Sequence, residues 1–166
     1  VEYWITFNEA NIFATHAYTD GLWPPMTRGS LLTLFSLGPI RGRTIKAMDR
    51  MTSAHNRVYR WAHKFYPDIK MGVAHNMGFY SGKTRWNRLK AKYSGNMMNW
   101  RFPSRIRGHM DFFGFNYYGA EWFKGMQIDV DPAEEYSEAG RAVYPEGLYG
   151  LIHQINRRFP KLPMLI

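Results

Sequence analysis

The chain has 166 residues, 45% of them hydrophobic and 21% charged, the balance of a chain that folds around a core rather than staying disordered or spanning a bilayer. That length suits one domain or a piece of a larger one and excludes a complete large barrel. Cysteine is absent, which excludes a disulfide framework, a thiolate zinc site and a cysteine nucleophile together. The net charge of +9 is uneven, because residues 41–107 hold 16 basic and two acidic side chains while the segments on either side are slightly acidic.

Val1-Glu2-Tyr3-Trp4 shows neither the basic nor the apolar part of a secretory leader, so a cytoplasmic location is favoured. The missing initiator Met points to N-terminal sequence not included here. The longest apolar stretch, residues 31–40, is broken by Thr33, Ser36, Gly38 and Pro39 and falls short of the ~20 residues that a spanning helix needs.

Tyr3-Trp4-Ile5-Thr6-Phe7 is short, aromatic and β-branched and ends in Asn8-Glu9, a pattern that predicts a buried strand delivering polar groups at its C-terminal end. Residues 21–43, rich in Gly, Pro, Ser and Thr, read as a connection with one helical turn. From 44 to 66 the apolar positions Ile45, Met48, Met51, Val58, Trp61, Ala62 and Phe65 recur at helical spacing until Pro67, which predicts a helix. A strand over 71–76, a basic helix over 84–100 and a strand over 111–118 follow. A loop of roughly 25 residues leads to a helix over 145–159 with Pro145 at a permitted start, and the last four residues read as the beginning of another strand. Strands alternating with helices predict βαβ units and a parallel α/β sheet.

Three of these strands end in polar or aromatic groups: Asn8 and Glu9, His75 and Asn76, Asn116 and Tyr118. In a parallel α/β barrel such ends converge on one face, where a site is built. A single polar strand end is often only a loop cap; three in register point to a site. The high aromatic content, 17%, fits a site that stacks on flat or sugar-like ligands.

Trp4-Ile5-Thr6-Phe7-Asn8-Glu9 resembles the W-x-T-F-N-E-P signature of family 1 glycoside hydrolases, the retaining (β/α)8 barrels that include β-glucosidases and β-galactosidases. Asp111-Phe112-Phe113-Gly114-Phe115-Asn116-Tyr117-Tyr118 and Tyr144-Pro145-Glu146-Gly147-Leu148-Tyr149 resemble two further blocks of the family in the same order and spacing. The resemblance implies a fragment of a TIM barrel running from the end of strand 4 to the start of strand 7, part of one catalytic domain with both flanks outside the chain. It implies that Glu9 is the general acid/base, that Asn8 binds the sugar 2-hydroxyl, that Tyr118 orients the nucleophilic carboxylate, and that Asn116 and Asn76 belong to the same substrate-binding cluster. An acid working at neutral pH needs a raised pKa, expected here from apolar neighbours such as Trp4 and Phe7 and from a second carboxylate. No metal or organic cofactor is implied, because two carboxylates suffice for this chemistry.

In the family the nucleophile lies in an I-T-E-N-G segment, of which Ile166 would be the first residue, so the nucleophilic Glu is expected two positions beyond the chain. The fragment alone is therefore expected to be inactive, and its open sheet edges to make it poorly stable. Ala10 stands where the family usually has Pro, a change expected to loosen the segment after Glu9. Glu134-Glu135-Tyr136-Ser137-Glu138-Ala139-Gly140-Arg141-Ala142-Val143-Tyr144-Pro145, with Gly119-Ala120-Glu121, resembles the plant galactolipid galactosyltransferase branch of the family. Hydrolysis of β-glucosides or β-galactosides is the first reading, with galactosyl transfer between galactolipids as the alternative. A non-catalytic carbohydrate-binding barrel is kept for the case that the protein is natively this short.

Residues 83–107 hold eight basic and no acidic side chains among Trp86, Tyr93, Trp100 and Phe102. The plain reading is a solvated outer helix; contact with an anionic membrane surface comes second and nucleic acid a distant third. Gly78-Phe79-Tyr80-Ser81-Gly82-Lys83-Thr84 is one residue short of a phosphate loop, and Asp129-Val130-Asp131 with Glu134 and Glu135 lacks the glycine of a calcium loop. The six histidines show no metal-ligand spacing, and only His75, at a strand end, stands as a further site candidate. The ten methionines read as core filling.

Overall fold

A computed structural model describes residues 1–27, 42–124, 127–129, 135–138 and 140–166. In chain order the elements are β1 (Tyr3–Asn8), α1 (Ala10–Tyr18), α2 (Arg43–Phe65), β2 (Lys70–Ser81), α3 (Arg85–Gly95), a π-helical turn (Asn96–Trp100), α4 (Arg101–Arg105), β3 (Phe112–Lys124), β4 (Gln127–Asp129), α5 (Pro145–Arg158) and β5 (Met164–Leu165). β1, β2 and β3 pair in parallel in that order, β5 adds in parallel to the start of β3, and β4 pairs antiparallel with its end. Four neighbouring parallel strands joined through helices form an open arc of a (β/α)8 barrel.

Strand alternation sorts the side chains. Val73, His75 and Met77 of β2, with Phe113 and Phe115 of β3, are buried beneath the helices, where Phe102, Leu151 and Ile155 meet them. Gly72, Ala74 and Asn76 line the other face, the barrel interior. The strands approach closely there, since a Cβ on Gly72 would overlap the Phe112 backbone. Helix α2 buries Ile45, Met48, Thr52 and His55 at spacings of three and four, the stripe of an amphipathic helix. His55 is fully buried and ties three segments together: its Nδ1 accepts from the Thr6 hydroxyl of β1 (2.6 Å), and its Nε2 donates to the His109 carbonyl ahead of β3 (2.5 Å). Burial lowers its pKa despite that carbonyl, so it is held as the neutral ring that this pairing requires. Asp49 of α2 pairs with Arg101 at 3.0 Å and also with Arg105, fastening α4.

Several elements depart from expectation. Helix α1 was not expected; its buried residues Ala10, Ala14 and Ala17 are small, so it is seated by close approach rather than by a large apolar stripe. β2 and β3 run past Asn76 and Tyr118 to Ser81 and Lys124, the long helix breaks at the π turn, and the expected loop contains β4. The helical turn expected within 21–43 and the acidic loop around 130–134 involve residues 28–41 and 130–134, which lie outside the described ones. Among the described residues no helix is long and apolar enough to cross a membrane.

His75 does not join the site. Its side chain points into the core, stacks on Phe102 at 5.9 Å between ring centres, and donates from Nε2 to the Met98 carbonyl (3.0 Å). Burial holds its pKa down at about 4, against the raising influence of Met98, Glu9 and Asn99. The unfolded chain takes up this proton near 6.5 and the folded chain only near 4, so as pH falls through that window the unfolded state binds more protons and stability is lost. We expect His75→Phe to lower the melting temperature at neutral pH, because the Met98 carbonyl loses one of its two side-chain donors, keeping only Asn11. We also expect a shallower fall in melting temperature from pH 6.5 to 4, which thermal melts across that range check.

Candidate active site

Glu9 is the single residue between β1 and α1. Its backbone is left-handed, with φ 50° and ψ 49°, a conformation that costs a non-glycine residue about 1–2 kcal/mol. It is pinned on both sides: the Glu9 amide donates to the Ala74 carbonyl of β2 (2.7 Å), and the Glu9 carbonyl accepts from the Phe13 amide of α1 (2.9 Å). Its side chain makes no capping bond to the helix and is free to face the strand ends.

Two bulges aim the surrounding groups. Between Ile5 and Asn8, β1 spends one more residue than β2 does between Gly72 and Ala74. Thr6 and Phe7 can therefore both face the helices, at His55 and Phe102, before Asn8 and Glu9 turn toward the sheet interior. Between Tyr117 and Ala120, β3 spends one more than β2 does between Met77 and Phe79. That bulge holds Tyr118 and Gly119, and Gly119 has φ 138° with its Cα against the Ala142 carbonyl, a place only glycine fills without strain.

The result is a carboxylate with three side-chain donors from the two adjacent strands. Asn116 Nδ2 (2.7 Å), Tyr118 Oη (2.9 Å) and Asn76 Nδ2 (3.3 Å) all donate to Glu9 Oε1, and none of these bonds uses Oε2. Asn116 Nδ2 also reaches Asn8 Oδ1 (3.2 Å). Thus Asn8, Glu9, Asn76, Asn116 and Tyr118 are brought together, whereas His75, adjacent in sequence to Asn76, is turned away by strand alternation. Burial pushes the Glu9 pKa up, but the bonds from Asn116, Tyr118 and Asn76, with the charge of Arg141, bring it below the usual carboxylate value. The raised pKa expected of an acid is therefore not the state of this carboxyl. Of the two expected apolar neighbours, Phe7 lines the cavity beside Glu9, while Trp4 is half exposed on a groove with Val58 and Trp61 of α2.

Four residues near the site were not singled out as site residues from the sequence. Asn11 is fully buried and donates to the carbonyls of Asn76 (2.9 Å) and Met98 (3.1 Å), locking α1 to β2 and the π turn. Phe13 and Trp23, with ring centres 6.3 Å apart, form an aromatic wall on a cavity of about 330 Å³ that also reaches Phe7, Asn8, Glu9 and Met51. Arg141 lies over the Tyr118 ring (5.3 Å) and bonds Glu121 of β3 (3.3 Å). Burial raises the Glu121 pKa and Arg141 opposes the rise. Ala10, where the family usually has Pro, is buried as the first residue of α1. Among the described residues no group of three or more His, Asp or Glu is placed to hold a metal ion.

The model of Glycosyl hydrolase family 1 matches residues 1–102. The chain belongs to glycosyl hydrolase family 1. Two curated relatives match along nearly its whole length. The Arabidopsis thaliana protein named Galactolipid galactosyltransferase SFR2, chloroplastic, is 32% identical over 170 residues, covering 100% of this chain and 27% of its own length. The Oryza sativa subsp. japonica protein named Beta-glucosidase-like SFR2, chloroplastic, is 30% identical over 165 residues, covering 98% of this chain and 25% of its own. The chain thus spans about a quarter of the length of these relatives. Among solved structures, a mutant of a hyperthermophilic β-glucosidase superposes with a TM-score of 0.82 at 22% identity, over 100% of this chain and 38% of that one, which shows the shared barrel fold.

The donor set makes a directional prediction within this family 1 site. Tyr118→Phe removes a hydrogen bond to Glu9, and Arg141→Met removes a nearby positive charge; each should raise the Glu9 pKa, Tyr118→Phe by more. A carboxyl-carbon NMR titration, with Glu9→Gln identifying the signal, measures both shifts.

Proposed function

We propose that this chain supplies the acid/base half of a retaining β-glycosidase site, with Glu9 as the catalytic residue. The observation that carries the reading is the Glu9 carboxylate itself, set in a strained strand-end conformation and held through Oε1 by side chains from the next two parallel strands. That arrangement leaves Oε2 to meet a glycosidic oxygen. In the proposed double displacement, a second carboxylate attacks the anomeric carbon while Glu9 donates its proton to the departing oxygen. Glu9 then takes a proton from the incoming hydroxyl as that hydroxyl displaces the enzyme carboxylate. Retention requires the two carboxyl groups to be ~5–5.5 Å apart. The second is assigned to sequence following Ile166, and residues 1–166 to one catalytic barrel domain. Asn8 would bind the sugar 2-hydroxyl; Asn76, Asn116 and Tyr118 would hold the carboxylates.

The incoming hydroxyl distinguishes two outcomes. Water gives hydrolysis of a β-glucoside or β-galactoside; a sugar hydroxyl on a lipid gives transfer. The second is favoured by the Glu134-to-Pro145 segment, which resembles the transferase branch, and by the name of the Arabidopsis thaliana relative, whereas the Oryza sativa relative is named for the first. Transfer would place the protein at a plastid-type membrane rather than free in the cytoplasm. Incubating the full-length protein with a monogalactosyl lipid separates them: free galactose marks hydrolysis, and an oligogalactosyl lipid marks transfer.

Glu9→Gln in the full-length protein should slow turnover of glycosides with poor leaving groups by about 10²–10⁴-fold. Aryl glycosides with good leaving groups should still form the glycosyl-enzyme, and added azide should restore their turnover by intercepting it. Steady-state rates on a pair of such substrates test this; a variant as fast as wild type on both would remove Glu9 from the role.

A further inference from the structure

Helix α3 carries an apolar stripe on its outer face. Trp86, Leu89 and Tyr93 stand at i, i+3 and i+7 and are 63%, 58% and 37% exposed, while Ala91, Ser94 and Gly95 form its buried side. Trp4, Ile5 and Tyr3 are also exposed, but they sit on β1, at the edge of the sheet. α3 is different: it packs on β2, a strand paired on both sides. On one side α5 is present, sharing with it a cavity of about 260 Å³ lined by Ala91, Lys92, Leu151 and Arg158. An open sheet edge therefore does not account for the stripe.

The charge around the stripe selects the occupant. Lys83, Arg85, Arg88 and Lys92 are exposed, and the Lys90 ammonium lies 5.2 Å from the centre of the Trp86 ring. No acidic residue interrupts the sequence from 83 to 107. Tryptophan and tyrosine favour the level of lipid headgroups, and long cationic side chains lie along the apolar surface with their charges toward phosphate. A leucine at the centre of the stripe suits acyl chains better than the stacked bases of a nucleic acid. We propose that the outer face of α3 is a docking surface for an anionic lipid bilayer, with Trp86, Leu89 and Tyr93 entering the interface and the flanking Lys and Arg side chains pairing with headgroup phosphates.

α3 starts four residues after β2 ends at Ser81, at the end of the sheet where Asn76 meets Glu9. Trp86, in the first turn of α3, therefore lies toward the end of the sheet that carries Glu9. Docking does not depend on the glycosidase reading; a hydrolase, a transferase or an inactive barrel would bind in the same way.

Vesicle flotation of the full-length protein tests the surface without using activity. The wild type should float with phosphatidylcholine vesicles containing phosphatidylglycerol, float much less with phosphatidylcholine alone, and be released by high salt. Trp86→Ser/Leu89→Ser should weaken partitioning at low salt although every cation is still in place. Arg85→Gln/Arg88→Gln/Lys92→Gln should weaken it by at least about tenfold at low salt. The substituted side chains are exposed, and unchanged thermal melts confirm that the variants are folded. Flotation that ignores phosphatidylglycerol, or that both variants retain in full, overturns the proposal. So does a wild type that ignores vesicles but binds single-stranded DNA through the same cations, or one that dimerises through Trp86 and Leu89 in sedimentation equilibrium.

Discussion

A strand that pairs in parallel with its predecessor must start from the same end, so the chain has to cross back over the sheet each time. This constraint organises the molecule. It makes α2 and the α3-to-α4 segment obligatory connections between β1, β2 and β3, and it sends the C-terminal ends of these parallel strands to the same side. Asn8 and Glu9, Asn76, and Asn116 with Tyr118 lie 67 to 109 residues apart by their hydrogen-bonded pairs, yet the sheet brings them within bonding distance. The helical layer makes that register rigid. His55 joins β1 to the segment before β3, and Asn11 joins α1 to β2 and the π turn.

Regular pairing alone would not produce the site. An uninterrupted β1 would keep strict alternation from Thr6 through Asn8, and an uninterrupted β3 would carry Tyr118 on without a change of direction. Each strand instead takes one extra residue at its C-terminal end, and Glu9 then adopts a left-handed conformation that non-glycine residues avoid. These local costs are sustained because neighbouring backbone groups satisfy the segment from both sides, Ala74 on β2 and Phe13 on α1. Local strain concentrated at a group that must point in one direction is the expected pattern for a working site in an otherwise regular sheet.

How much of this was legible in the sequence follows from the range of each interaction. α2 could be read because Ile45, Met48, Met51 and Ala62 recur at helical spacing within one segment, and the end of β1 could be read because its apolar run stops at Asn8, whereas β2 was read five residues short, at Asn76 instead of Ser81. α1 could not, because its contact side is made of alanines and a buried asparagine, which carry little hydrophobic contrast. The full length of β3 was hidden by its own bulge, where Gly119 breaks the alternation that defines a strand. Arg141 was visible only as a letter in a motif. Its position over Tyr118, 23 residues earlier, depends on the bridge between Ala120 and Ala142 and on the turn at Ser137, which no local pattern encodes.

The electrostatics of Glu9 bear on how one carboxyl would serve as acid and then as base. With three donors on Oε1 and Arg141 nearby, the anion is favoured in the chain as described, which suits the base step and opposes the acid step. Tyr118 is the member of the set that can change this balance: it is half exposed, and its phenol is tied to Glu9 by a single hydrogen bond. In the proposed mechanism a second carboxylate enters the site and competes for that hydroxyl. Glu9 would then lose one donor and gain a like charge, and both changes raise its pKa. Once the second carboxylate is consumed in the glycosyl-enzyme ester, its charge is gone and the phenol is released to return to Glu9. Asn76 and Asn116 keep the carboxyl in place throughout, so the switch from acid to base would require the movement of one hydroxyl and no rearrangement of the strands.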